Sequence, residues 1–150
     1  MDISLLVKPE TNTRVFYETH NYIEGNAGFD IYCPEDITIS YGETVRVNMK
    51  VKCVFRNKNK NIHYFLTARS SIDKTPLMLS NGIGTMDRNY RGNVIASLRH
   101  VFPDKAPYTI KRGQRLVQIV PINGEDFGVK IVDELDRTNR GEGGFGSTGV

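Results

Sequence analysis

The last residues of the sequence combine groups that could bind a phosphorylated ligand. The decapeptide RGEGGFGSTG, residues 140–149, holds five of the fourteen glycines. Successive glycine N–H groups can form an anion-binding nest, and the bound anion offsets the entropy lost when glycines are ordered. Arg140 adds a guanidinium suited to phosphate, Ser147 and Thr148 add hydroxyl donors, and Phe145 adds a flat face for a base. The segment indicates a nucleotide contact, with a disordered terminus as the alternative.

The same segment contains a misleading motif. GFGSTG matches the dinucleotide fingerprint G-x-G-x-x-G, which works only where a strand precedes it and a helix follows to receive the phosphate. One residue follows the motif in the sequence. We therefore expect no Rossmann site here.

A second polyanion contact is indicated by ARSSI, residues 68–72. Arg69 follows a strand-like run and precedes Ser70 and Ser71, so a guanidinium fork stands beside two hydroxyls. The alternative is that these serines only cap a turn.

The stretch NGIGTMDRNYRGNV, residues 81–94, predicts a hairpin that approaches a ligand closely. Gly84 and Gly92 stand near its two ends, where the absence of side chains exposes backbone donors and acceptors that could read a pyrimidine edge. Asp87 could accept a proton from water, or could simply form the turn.

Two further stretches each place one polar residue in an apolar run. AGFDI, residues 27–31, holds Asp30 at the start of a strand, where it suits an outer-sphere Mg²⁺ contact or equally a turn. GQRLVQIV, residues 113–120, holds Gln118 two residues before the strand end.

β-strands must position these groups, because alternation of apolar and polar residues dominates the sequence. Thr44–Val54 is predicted as one half-buried strand, and IHYFLTA, after the polar tip FRNKNKN, is predicted to complete a long hairpin with it. Shorter β-rich runs recur at residues 4–7, 29–33, 37–39, 94–101, 116–122 and 129–132.

Many short strands with almost no helical periodicity predict an all-β antiparallel sandwich or jelly roll. At most one short helix is expected, in SSIDKTP, where a serine cap precedes the turn and a proline ends it. Residues 1–150 are expected to form a single domain, with residues 138–150 as a mobile glycine-rich lid.

The composition indicates a soluble intracellular protein. Hydrophobic residues make up 39% and charged residues 25%, no apolar run is long enough to span a membrane, and the N-terminus lacks the features of a signal peptide. The net charge of +3 comes from scattered basic residues, so nucleic-acid binding is not expected, although the positive field suits a polyanionic small substrate. Cys33 and Cys53 lack metal-ligand or redox spacing and are expected to be buried free thiols.

In order and spacing, the five stretches together resemble the five motifs of the trimeric dUTPases, the deoxyuridine triphosphatases. The resemblance runs from Ala27 to Gly149, four fifths of the sequence. It departs mildly from the family pattern at Met86, Ile31, Val117 and Asn93. Glutamate is frequent at the last of these positions, so Asn93 could alter how the hairpin is braced.

The resemblance implies an Mg²⁺-dependent enzyme that hydrolyses dUTP at the α-phosphorus to dUMP and pyrophosphate, limiting uracil in DNA and supplying dUMP for thymidylate synthesis. It further implies a homotrimer with shared active sites, in which the tail, residues 138–150, reaches a distant neighbour. A non-enzymatic nucleotide-binding protein of this fold and a relative of the dCTP deaminases are the alternatives.

The resemblance also implies a role for each residue. Asp87 would orient and deprotonate the attacking water, with Ser71 and Gln118 close to the reacting groups, and Asp30 would contact the Mg²⁺ shell. The substrate would be bound by Arg69, Ser70, Ser71 and Gln118 around the phosphates, by Asn81, Gly84, Thr85 and Met86 at the uracil, by Tyr90 under the deoxyribose, and by Arg140, Phe145, Gly146, Ser147 and Thr148 from the tail.

Overall fold

The computed structural model describes residues 2–19 and 22–145 and is almost entirely β-structure. The strands are β1 (Ile3–Pro9), β2 (Phe29–Tyr32), β3 (Ile37–Ile39), β4 (Thr44–Asn48), β5 (Val51–Asn57), β6 (Lys60–Ile62), β7 (Tyr64–Ala68), β8 (Leu77–Leu79), β9 (Gly84–Met86), β10 (Ile95–His100), β11 (Tyr108–Ile110), β12 (Arg115–Pro121) and β13 (Gly128–Ile131). They form sheets of order β13-β1-β5-β6, β4-β10-β8, β11-β3 and β2-β12-β7-β9. This is the jelly-roll class expected from the sequence.

The prediction of one continuous strand over Thr44–Val54 is wrong. The backbone turns at Lys50, whose φ is 57°, and the Lys50 N–H donates to Asn48 Oδ1 over 2.9 Å. β4 then pairs with β10, whereas β5 pairs with β1 in another sheet. The alternating pattern hides this break because Met49 and Val51, on either side of it, are both buried.

The predicted long hairpin is shorter than expected. β5 and β6 pair around a tip at Lys58, which has a φ of 54°. After His63 the chain enters β7, which pairs with β12 and β9 in a different sheet. The polar tip was therefore located correctly, but only β6 returns along β5.

Two short helices accompany the strands. A 3₁₀ helix, Ser70–Lys74, occupies the position of the predicted helical turn. The α-helix α1 (Arg14–Glu18) was not predicted, because five residues carry too little periodicity to be recognised. Its Tyr17 ring packs against Phe29, with ring centroids 6.0 Å apart.

One sheet, β2-β12-β7-β9, carries five of the predicted site residues, and Arg69 and Asp87 directly follow two of its strands. Gln118 on β12 lies opposite Asp30 on β2 and opposite Thr67 on β7. On the far side of β7, Met86 of β9 lies opposite Tyr64. Motifs that are far apart in sequence are therefore neighbours across four adjacent strands.

A common apolar core receives side chains from all four sheets. Cys33 and Cys53 are buried and unbonded to each other, as the sequence analysis expected. Within residues 2–19 and 22–145, no helix has the length and apolar character that crossing a bilayer requires.

Candidate functional site

The first group of site residues is the Asp30 cluster, which we define as Asp30, Arg69, Arg115 and Gln118. Arg69 Nε lies 2.8 Å from Asp30 Oδ1, and Arg115 Nη1 lies 3.0 Å from Asp30 Oδ2. One carboxylate thus faces two guanidinium groups, and its side chain is only 17% exposed. The unbalanced positive charge and the preorganised arginines suit a phosphate group.

A cavity of about 470 Å³ opens beside this cluster and is also lined by Gly28 and Ser70. A Cβ atom at Gly28 would lie 2.3 Å from Gln118 Oε1, so only glycine leaves this amide in place. The structure therefore brings the first, second and fourth of the five sequence stretches together.

Ser71 contacts Arg69 from another side. Arg69 Nη1 donates to Ser71 Oγ over 3.2 Å and to the Arg115 carbonyl over 2.9 Å. Ser71 lines a second concavity beside Lys74, whereas Ser70 lines the cavity of the Asp30 cluster. The contacts of Ser71 hold the Arg69 guanidinium in place.

The second group of site residues forms the hairpin pocket, a cavity of about 180 Å³. Backbone and side chains from β9 and the turn that follows surround it, together with residues of the tail. Its lining includes Asn81, Gly84, Thr85, Met86, Asp87, Tyr90, Arg140, Gly144 and Phe145. The structure thus gathers the third and fifth stretches in one pocket.

Tyr90 is held rigidly at the edge of the hairpin pocket. Its hydroxyl donates to the Asn93 carbonyl over 2.6 Å, and burial raises the pKa of Tyr90, so the phenol remains a donor. A Cβ atom at Gly92 would lie 2.4 Å from the Tyr90 hydroxyl oxygen. Asn93 Nδ2 in turn donates to Glu10 Oε2 over 2.9 Å, which supplies the brace that the sequence departure at residue 93 called into question.

The tail reaches the hairpin pocket through Arg140 and Phe145. Arg140 Nη1 lies 3.0 Å from Asp87 Oδ2, and the guanidinium of Arg46 lies 4.4 Å from the centroid of the Phe145 ring. Gly146, Ser147 and Thr148, which were predicted to close over the phosphates, lie outside the described residues.

The Asp30 cluster and the hairpin pocket lie at opposite ends of β7. Arg69 follows the last residue of β7, whereas Asp87 follows Met86, which is paired with Tyr64 at the first residue of β7. At about 3.3 Å per residue, Arg69 and Asp87 are separated by about 20 Å along the strand. Arg69 and Asp87 of one chain are thus too far apart to contact adjacent phosphate groups.

Two arginines outside the predicted site residues, Arg115 and Arg91, also have carboxylate partners. Arg115 completes the Asp30 cluster. It is the one charged residue of β12, as Asp30 is the one charged residue of β2, and these opposite charges on apolar strands could have indicated the pair. Arg91 is 6% exposed and pairs with Asp136, where Nε and Oδ1 are 3.1 Å apart. Its burial has no local signal, because it depends on a segment 45 residues away.

These features define a jelly-roll protein with an arginine-containing cluster suited to a phosphate group and a separate pocket of a size and lining suited to a nucleobase. Comparison with known proteins narrows this class. A family model described as dUTPase matches residues 18–149. The chain belongs to the dUTPase family.

Individual relatives agree with that assignment. The deoxyuridine 5'-triphosphate nucleotidohydrolase of Desulfitobacterium hafniense is 34% identical over 131 residues, which span 84% of this chain and 83% of the relative. The enzyme of the same name from Cutibacterium acnes is 32% identical over 127 residues, spanning 84% and 81%. The solved structure of the Staphylococcus bacteriophage 80alpha dUTPase with dUPNHPP is 25% identical, covers 97% of this chain and 98% of its own, and superposes with a TM-score of 0.61.

Proposed function

We propose that this protein hydrolyses dUTP to dUMP and pyrophosphate, with Asp87 activating the attacking water. The observation that carries the proposal is the hairpin pocket, where Asp87 lies beside the β9 backbone, Tyr90 and Phe145. A carboxylate thus adjoins a small cavity with a flat aromatic wall and exposed backbone polar groups. Family membership supplies the substrate.

The β9 segment supports selection of uracil. Gly84 is buried, and a Cβ there would lie 3.2 Å from Cβ of Leu66 on the paired strand β7, so glycine lets β9 pack closely against β7 and fixes its backbone. Backbone N–H and C=O groups fixed in this way match one pattern of base donors and acceptors. A base with the opposite pattern leaves buried polar groups unpaired. The free-energy cost of those groups discriminates against that base by about 10⁴-fold or more.

The proposed reaction is a displacement at the α-phosphorus. The water oxygen bonds to that phosphorus, the bond from phosphorus to the α,β-bridging oxygen breaks, and pyrophosphate leaves. The water proton passes to the Asp87 carboxylate, which is 44% exposed and can return it to solvent. General-base assistance of this kind supplies about 10²- to 10⁴-fold in rate.

The residues present fit an Mg²⁺ ion that is bound chiefly by the substrate. In the described part of the chain, no cluster of three His, Cys, Asp or Glu side chains could form a protein cage for a metal. Asp30 already has a guanidinium on each oxygen, so it suits contact with a metal-bound water rather than direct ligation. When bound to the triphosphate, Mg²⁺ would neutralise charge on the phosphates.

The site is proposed to form between copies of the chain. Because about 20 Å separates Arg69 from Asp87 along β7, the phosphate-binding arginines and the general base that act on one substrate belong to different copies. A homotrimer, as the family resemblance implies, supplies three such junctions by repeating one heterologous contact.

A pyrophosphate-release assay with dUTP and Mg²⁺ tests the proposed reaction directly. We expect rapid release from dUTP and release slower by about 10⁴-fold or more from dCTP. Ammonia release from dCTP would indicate a deaminase, and nucleotide binding without turnover would indicate a regulatory protein. Sedimentation analysis should give a species of three times the 17.0 kDa chain mass.

A further inference from the structure

The peptide group that joins Asp87 to Arg88 is hydrogen-bonded at both of its polar atoms. Its carbonyl, from Asp87, accepts the Tyr90 N–H over 3.0 Å. Its N–H, from Arg88, donates to Nδ1 of the His63 ring over 2.9 Å. Because a peptide group is planar, these two bonds together fix the orientation of the whole plane. The plane begins at the Cα atom of Asp87, so it determines the direction in which the Asp87 side chain leaves the backbone.

His63 is itself held on a fixed part of the fold. It lies between β6 and β7, and its carbonyl accepts the Ile122 N–H over 3.1 Å. The next residue, Tyr64, is buried and pairs with β12 on one side and with Met86 of β9 on the other. One residue further along this antiparallel register, His63 and Asp87 stand at opposed positions. The imidazole ring thus connects the turn after β9 to the neighbouring strand.

Arg91 supplies hydrogen bonds to this turn from within the same segment. Its Nη1 donates to the Arg88 carbonyl over 2.9 Å and to the Tyr90 carbonyl over 3.1 Å. These bonds keep the turn closed, but they move with it, because the donor and both acceptors lie in residues 88–91. The bond to His63 spans 25 residues and ties the turn to β7 instead. Through His63 the sheet determines where the turn lies.

The same hydrogen bond indicates which nitrogen of the ring carries the proton. A nitrogen that accepts an N–H is unprotonated, so the hydrogen of the neutral His63 ring is on Nε2. A proton on Nδ1 would set two N–H donors against each other at this contact and leave both unpaired there. The contact therefore requires a neutral imidazole with its proton on Nε2.

From this geometry we propose that His63 is a positioning residue for the proposed reaction. Its neutral ring holds the Asp87–Arg88 peptide and thereby directs the Asp87 carboxylate toward the attacking water. The inference rests on the proposed function and names a residue that this site requires in addition to its catalytic aspartate. His63 is not among the described residues that line the hairpin pocket, so it acts on the reaction through Asp87 rather than by contact with the substrate.

The expected consequence of losing this contact is a loss of rate with little loss of binding. The backbone proposed to bind uracil is held by the pairing of β9 with β7, and the arginines proposed to bind phosphate lie beyond the other end of β7. A misplacement of about 1 Å at the reacting groups can cost about 10²-fold in rate. Loss of the hydrogen bond to His63 should therefore lower kcat by about 10- to 100-fold.

Two substitutions of similar size separate the hydrogen bond from the packing of the ring. Asparagine carries Oδ1 on Cγ, where histidine carries Nδ1, so His63→Asn keeps an acceptor at this position. His63→Leu keeps a branched side chain without an acceptor. We expect His63→Leu to lower kcat for dUTP by about 10- to 100-fold and to change the Kd of a non-hydrolysable dUTP analogue by less than about threefold. His63→Asn should recover most of the lost kcat, and thermal melting of both variants checks that each is folded in the assay.

Three results with these variants would overturn the inference. The first is an unchanged kcat in His63→Leu, and the second is a His63→Asn protein as slow as the leucine variant. The third is a loss that appears only in the Kd of the analogue, because His63 would then act on binding.

A further comparison places His63→Leu in an Asp87→Asn protein. If His63 acts through the Asp87 carboxylate, the double variant should be hardly slower than Asp87→Asn alone. A loss as large as the one seen with the carboxylate present would show that His63 acts independently of Asp87, and the inference would be wrong.

NMR tests the hydrogen bond without reference to turnover. The sequence has three histidines, so the ring nitrogens of His63 can be assigned in long-range ¹H–¹⁵N spectra by comparison with His63→Asn. We expect the neutral ring to carry its proton on Nε2, and a proton on Nδ1 would contradict the inference. If the wild-type protein does not hydrolyse dUTP, the proposed function fails and this inference fails with it. An active wild-type protein with an equally active His63→Leu variant overturns the inference alone.

Discussion

Arg140 Nη1 lies 3.0 Å from Asp87 Oδ2, so a guanidinium of the C-terminal segment contacts the carboxylate that we assign as general base. Arg140 Nε also donates to the Gly143 carbonyl over 3.0 Å, which fixes the plane of the guanidinium. A guanidinium has five N–H donors, so it can contact this carboxylate and a phosphate together. The pair therefore links the position of Arg140 to that of the base.

Asp87→Asn should reduce kcat by about 10²- to 10⁴-fold, because an amide cannot accept the water proton. Affinity for a non-hydrolysable dUTP analogue should change little, because the pocket walls are unaltered. Single-turnover kinetics and calorimetric titration measure the two quantities separately. Near-normal turnover would remove Asp87 from the mechanism.

Arg140→Ala should lower kcat as well as kcat/KM, the latter by about 10- to 100-fold, which corresponds to the loss of a charge-assisted hydrogen bond. Arg140→Lys is the matched control, because it keeps the charge but loses the planar fork and should recover only part of the activity. Steady-state kinetics with dUTP gives both constants. An unchanged kcat in the alanine variant would show that Arg140 contributes binding alone.

Gly92→Ala should displace the Tyr90 ring, since the new Cβ would lie 2.4 Å from its hydroxyl oxygen and 2.6 Å from Cζ. We expect kcat/KM for dUTP to fall by about tenfold or more and the preference over UTP to narrow, because Tyr90 no longer crowds a 2′-hydroxyl.

The control introduces Gly92→Ala into a Tyr90→Ala protein. There it should reduce kcat/KM little further, because the tyrosine ring that it displaces is absent. Kinetics of the four proteins form a double-mutant cycle that isolates the contact. Additive losses in the cycle would show that Gly92 acts through backbone conformation instead.

Asp30→Asn should raise the Mg²⁺ concentration that gives half-maximal rate, because the amide oxygen carries less charge for a metal-bound water. The amide also weakens the pairs with Arg69 and Arg115. Gln118→Ala is a useful comparison, since it alters the same cavity but keeps the carboxylate. Mg²⁺ titrations at saturating dUTP distinguish the two, and equal shifts would place Asp30 outside the metal shell.

The buried thiol of Cys53 predicts a loss of stability at alkaline pH. Burial raises the pKa of Cys53 well above the ordinary value of 9.0, so above that pH the thiol ionises only in the unfolded chain. The unfolded state then binds fewer protons than the native state, and the free energy of unfolding falls as pH rises, by about 1.4 kcal/mol per pH unit for each such group.

Urea titrations between pH 8 and 10.5 measure this slope. Cys53→Ala lowers stability at every pH, because it leaves a cavity. It should also reduce the fall of the unfolding free energy with pH by about 1.4 kcal/mol per pH unit, the contribution of one titrating group. Burial raises the pKa values of Cys33, Tyr17 and Tyr64 as well, so part of the slope should remain in the variant above pH 9. Parallel pH profiles for the two proteins would contradict the assignment.

Some features of the fold could be read from local pattern alone. Alternation predicted the strands around Asp30 and Gln118. Glycine spacing predicted a tight hairpin around Asp87, and the structure has a turn there, but the flanking strands β9 and β10 pair in different sheets rather than with each other. Local pattern missed the turn at Lys50, because the buried positions continue with the same parity on both sides of it. It also missed the bracing of Asn93 by Glu10, since that contact spans 83 residues.

The sequence by itself determined the chemical types at the site and the β-rich class, because side-chain chemistry, alternation and glycine conformation are local properties. Only the tertiary structure decided that Arg115 and Arg69 share Asp30, that Asp87 lies about 20 Å along β7 from them, and that Gly141 lies beside Tyr90. These relationships depend on strand register and on pairing between distant segments. The same motif residues could satisfy every local rule in another register, so packing of the whole chain selects the arrangement.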